Sequence, residues 1–69
     1  MKEIGNLLRQ AREEKGKSLD EISRETKIQK RYLSLLEEGD FSSFSGEVYL
    51  KGALRNFAEA VGLNSSEII

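Results

Sequence analysis

"LDEISRETKIQKRYLSLLEE", residues 19–38, sets apolar side chains at Ile22, Ile28, Leu33 and Leu36. Their spacing predicts two short helices joined by a tight turn, with these four residues on the inner side. Ser23 falls where two steeply crossing helices admit only a small side chain. Lys27 sits in the turn, where glycine is common. It must accept a glycine-like geometry, or the turn must differ.

The flanks extend the helical pattern. "SLDE", Ser18 to Glu21, reads as a capping box in which hydroxyl and carboxylate satisfy each other's orphan amides. Upstream, a first helix is expected from about Lys2 to Lys15, with Ile4, Leu7, Leu8 and Ala11 on one face and Gly16 closing it. The third helix is expected over residues 29–38, ended by Gly39. "GDFSSFSG" follows as a loop whose Phe41 and Phe44 tuck under the bundle. A fourth helix is expected from about Gly46 to Val61, with Leu50, Leu54 and Val61 on the core stripe and Phe57 at its edge. Gly62 ends that helix. Asn64 and Glu67 then pair as a further N-terminal cap, so the natural chain is expected to continue past Ile69. The expected fold is an all-α, compact bundle of four to five helices containing a helix-turn-helix.

Composition narrows the chemistry. The 69 residues contain neither cysteine nor histidine, so the thiolate and imidazole ligands and the commonest general base are missing. No enzyme activity and no cofactor are expected. Eleven basic residues face twelve acidic ones, and the net charge is -1. DNA-binding modules are usually basic, because neutralising phosphate supplies much of their affinity. No stretch approaches the roughly 18 apolar residues of a membrane span.

"IGNLLRQAREEKGKSLDEIS" (4–23) resembles the opening of lambda-repressor-like domains of the Cro/CI or Xre type. Joined to "TKIQKRYLSLLEEGDFSSF" (26–44) and "GEVYLKGALRNFAEAVGL" (46–63), the chain resembles the cytoplasmic N-terminal domains of the RodZ family. Two positions depart from that family's pattern. Ser45 stands where proline is frequent, and Ala53 where a large apolar or aromatic residue is usual. The resemblance implies one domain over residues 1–69, forming the N-terminal cytoplasmic part of a longer, membrane-anchored chain. It implies an adaptor that binds the actin-like protein MreB and ties the bacterial cytoskeleton to the membrane for cell-shape control. Membrane contact would come only through a segment beyond residue 69, and no small-molecule ligand is expected.

Two surfaces compete for the function. On the fourth helix, Tyr49, Ala53, Asn56 and Phe57 lie to one side of the Leu50 direction and are the expected protein contacts, by resemblance. Gly52 could permit close backbone approach there. On the third helix, Gln29, Lys30, Arg31 and Ser34 are the candidates for DNA contact in the alternative reading, a sequence-specific transcriptional regulator. Lys30 and Arg31 could also be a solvated helix face. Leu35 and Glu38 share that outward face and suit DNA poorly, and Glu37 adds a further carboxylate. Leu19 takes a place where such repressors typically put a DNA-touching glutamine.

Overall fold

The structure is a computed structural model that describes residues 2–64. Four helices follow in order: α1 Lys2–Glu14, α2 Leu19–Thr26, α3 Lys30–Glu38 and α4 Glu47–Ala60, with a single 3-10 turn at Phe41–Ser43 between α3 and α4. Every described element is helical, as the periodicity predicts. Ser65 to Ile69, and with them the Glu67 half of the expected last cap, lie outside the described residues.

Local chemistry accounts for the helix ends. Ser18 Oγ accepts from the Glu21 amide at 3.1 Å, and Glu21 Oε1 accepts from the Ser18 amide at 2.9 Å. That backbone hydrogen bond holds the Glu21 carboxyl below its ordinary range. Lys27 does accept the glycine-like geometry: its φ is 65°, and its amide donates to Ser23 O. Ser23 adds a second tie, because its hydroxyl donates to Ile28 O at 2.5 Å across the turn. Gly39 ends α3 in the left-handed region, with φ 76°.

The core collects Leu8 and Ala11 from α1, Ile22 from α2, Leu33 and Leu36 from α3, and Ile28 from the turn. α4 contributes Ala53, Leu54, Phe57 and Ala58, and Val61 follows as its C-cap. Leu7, expected inside, is 45% exposed. Leu8 and Ala11 already fill the inward face of α1, and Ile4 packs beside the core only in part.

α1 crosses α3 at backbone contact, at a glycine whose role the periodicity does not reveal. A Cβ built on Gly5 would overlap the carbonyl oxygen of Glu37 and lie 2.8 Å from that of Leu36. Two turns along α1, Arg12 locks the same pair of helices. Its Nε donates to Glu37 Oε2 at 2.6 Å, its Nη2 to Oε1 at 3.3 Å, and its Nη1 to Lys17 O at 2.9 Å. Arg9 Nε reaches Glu37 Oε1 at 3.3 Å. Glu37 is buried, and its hydrogen bond pushes the Arg12 guanidinium above its ordinary value. Such a pair contributes little beyond hydrophobic packing while intact, but breaking it strands a buried charge.

Gly52 is not a point of close approach. A Cβ there would meet nothing within 4 Å. Glycine inside a helix costs up to about 1 kcal/mol relative to alanine. Gly52→Ala should therefore stabilise the domain by roughly 0.5–1 kcal/mol, read as a rise in the denaturant midpoint without a change in slope.

Candidate protein-binding surface

Three elements bring their aromatic residues to one place. Tyr32 lies in the first turn of α3, Phe44 follows the 3-10 turn, and Tyr49 lies in the first turn of α4. The ring centroids of Tyr32 and Phe44 are 5.2 Å apart, those of Tyr32 and Tyr49 5.7 Å, and those of Phe44 and Tyr49 5.8 Å. The Tyr32–Tyr49 pair is nearly edge-to-face, at 84°. These separations fall in the range where aromatic quadrupoles attract. Asp40 fixes the approach of the connecting loop, accepting from Ser42 Oγ at 2.9 Å and from Ser43 Oγ at 3.2 Å.

The cluster is only partly covered. Tyr32 and Phe44 are half-buried against the core, while Tyr49 is 44% exposed and its neighbour Val48 88% exposed. At its rim the Arg31 guanidinium lies 4.9 Å from the Tyr32 ring centre, and Arg31 Nη2 donates to Tyr32 Oη at 3.0 Å. The result is a patch of aromatic and aliphatic surface with a cation fixed at one edge. Large exposed aromatics next to a charged rim are the usual anchors of protein interfaces.

The expected contact set divides. Tyr49 belongs to this patch, and Asn56 is exposed farther along α4. Ala53 and Phe57 cannot serve: Ala53 is 2% exposed and Phe57 wholly buried. The core direction of α4 runs through Ala53, Leu54, Phe57 and Ala58, while Leu50 is only half-buried. Burying Phe57 removes more apolar area from water than burying Leu50, so the helix turns the ring inward. Ala53 then stands inside the packing, where a small side chain lets α4 approach its neighbours.

The α3 candidates are also placed. Gln29 is the exposed N-cap of α3 and makes no capping hydrogen bond with its side chain. Lys30 Nζ pairs with Asp20 at 3.3 Å, Arg31 is held on Tyr32, and Ser34 is half-buried. Glu37, counted at the sequence level as a carboxylate hostile to phosphate, instead faces α1 and is neutralised there. Phe41 and Phe44 pack against the core as expected, and Val48 is the exposed apolar residue the sequence reading leaves out. Val48 next to Tyr49 in a first helical turn, off the Leu54–Val61 stripe, was the available signal. The placement of Phe44 depends on a turn that periodicity does not describe.

Away from this patch, an open polar cleft of ≈ 430 Å³ runs along the α1–α3 seam, lined by Asn6, Arg9, Glu37, Glu38 and Asp40. Arg9 and Glu37 already bind one another across it. Among the described residues no cluster of acidic side chains is arranged to hold a metal ion.

The helix-turn-helix domain family matches residues 7–68. The chain belongs to that family. It is 37% identical over 68 residues to the cytoskeleton protein RodZ of Streptococcus pneumoniae strain R6, covering 99% of this chain and 25% of that protein. It is 45% identical over 51 residues to the uncharacterized membrane protein YmfM of Bacillus subtilis strain 168, covering 74% of this chain and 18% of that one. The likeness is thus to a RodZ-type helix-turn-helix domain, and the chain spans a quarter or less of the length of these relatives. No solved structure matches the chain at comparable significance. Among the described residues no helix is long and apolar enough to cross a membrane.

Proposed function

We propose that this domain is a protein-binding adaptor that docks an MreB-type actin-like filament subunit through the Tyr32–Phe44–Tyr49 surface. In this reading it is the N-terminal, cytoplasmic-side part of a longer chain whose membrane segment lies outside residues 1–69. It would thereby tie the cytoskeleton to the membrane and serve cell-shape control. The observation that carries the reading is the partly exposed aromatic cluster, with Tyr49 and its sequence neighbour Val48 open to solvent. Apolar surface of this kind, fixed in place by three elements, is costly to leave in water without a partner. The likeness to a cytoskeleton protein and to a membrane protein supports the same direction. Single contacts can be weak, because a filament offers many equivalent sites and a membrane-held array of domains gains avidity.

The test is co-sedimentation of the domain with MreB filaments. Tyr49→Ala should weaken binding about tenfold, or ~1.4 kcal/mol, and lower the melting temperature through the loss of its two ring contacts while the domain stays folded. Asn56→Ala should produce a smaller loss. Undiminished pelleting by a folded Tyr49→Ala domain would remove the surface assignment.

A second reading, sequence-specific duplex binding of the Xre type, draws on the exposed Gln29, Lys30 and Arg31 at the start of α3. Lys30 already pairs with Asp20, and the exposed carboxylate of Glu38 lies farther along the same helix. Weak, salt-sensitive duplex binding is therefore expected. Nanomolar, sequence-selective binding at physiological salt would transfer the case to the regulator.

A further inference from the structure

We propose that Arg31 selects the partner at the aromatic surface by requiring a carboxylate next to an apolar side chain on the protein that docks there. The inference rests on reading that surface as a docking site and adds the chemistry of what fits it.

Among the described residues, five of the chain's eleven basic side chains form ion pairs within the domain. Lys30 pairs with Asp20, Lys51 with Glu47, Lys17 with Glu25, and Arg9 and Arg12 with Glu37. Among the ion pairs described, Arg31 has no carboxylate. It is held instead by a ring face and a phenol oxygen, neither of which neutralises it. A guanidinium carries five N–H donors in a planar fork, and Tyr32 Oη takes one. The remaining donors sit on an exposed side chain whose orientation Tyr32 has already set.

That arrangement is a prepared carboxylate receptor. The guanidinium is held within cation–π distance of the ring, and its fork matches the two oxygens of a carboxylate. Orienting the side chain beforehand reduces the ordering cost at the moment of binding. A phosphate could take the same fork, but it would leave Tyr32, Phe44, Tyr49 and Val48 facing water. It would also approach a domain whose net charge is -1. A protein segment with an acidic residue beside a Leu-like or Phe-like side chain satisfies both halves of the patch at once.

Selection of a random peptide library on the intact domain tests this without assuming the filament partner. Peptides enriched on the wild type should carry Asp or Glu beside an apolar residue. The best of them should bind Arg31→Gln about tenfold more weakly. Replacing the peptide's Glu by Gln should cost the same factor, and the two changes together should cost no more than either alone. Arg31 is on the outer surface, and an unchanged melting curve for Arg31→Gln checks that the fold is retained. Three outcomes overturn the proposal: no acidic enrichment or no binding peptides, equal affinity for Arg31→Gln, or tighter Arg31-dependent binding of a short random-sequence duplex. Filament pelleting is scored separately. Its failure alongside the peptide result would remove the actin-like partner while leaving the carboxylate preference standing.

Discussion

Phe57→Ala should unfold the domain rather than merely weaken a contact. Phe57 is wholly buried at the middle of the inward face of α4, beside Leu54, Ala58 and Val61. Truncating a buried phenylalanine costs about 3–5 kcal/mol, the sum of lost transfer energy and the cavity left behind. A single core in a domain of this size rarely supplies more than about 3–5 kcal/mol in total. The two figures are equal, so the free energy of unfolding should fall to near zero and the folded fraction at room temperature to about half. Circular dichroism should show lost helix and no cooperative thermal transition. Phe57→Leu, which keeps most of the volume, should remain folded with a lowered melting temperature. This contrast separates a core role from an interface role: a contact residue on the surface would lose binding in both variants and stability in neither. A Phe57→Ala domain with native helicity and cooperative melting would mean that α4 presents a different face to the core.

Gly5→Val is expected to be nearly as damaging, for the opposite reason. At Gly5 the added atoms meet backbone carbonyl oxygens of Glu37 and Leu36, which cannot swing aside as a side-chain tip can. α1 must move away from α3, and that opens the contact on which Arg12 and Glu37 depend. Overpacking of this kind costs typically about 1–3 kcal/mol and can cost more when backbone must move. Gly5→Ala should thus lose about 2 kcal/mol, a fall in melting temperature of roughly 8–16 °C for a domain this small. The valine variant should fall further, because its branches add a second clash and stranding Glu37 beneath a displaced α1 adds a desolvation cost. Urea denaturation of the three proteins should give midpoints in the order glycine, alanine, valine. An alanine variant as stable as the parent would show that the two helices do not meet at backbone distance.

These expectations come from different depths of the molecule. The caps at Ser18 and Gly39, the bounds of α2 and α3, and the burial of Ile22, Ile28, Leu33 and Leu36 were all legible in residues 18–39. Each depends on groups within a few positions of one another. The α4 stripe was legible only in part. Leu54 and Val61 were read correctly, but Leu50 and Phe57 exchanged roles, which carried Ala53 from the expected surface into the core. Periodicity says that a helix has an inner face. It does not weigh a phenylalanine at the edge of the stripe against a leucine at its centre.

The sequence by itself determined that this chain would form short capped helices around a helix-turn-helix core, because caps, turn residues and apolar spacing act locally. Tertiary structure alone decided which way α4 rolled and that Glu37 would be neutralised by α1. It also gathered Tyr32, Phe44 and Tyr49 from three elements, with the Arg31 guanidinium against Tyr32. Those outcomes depend on which surfaces meet in space, since buried area, close backbone approach and charge pairing are properties of neighbours far apart along the chain.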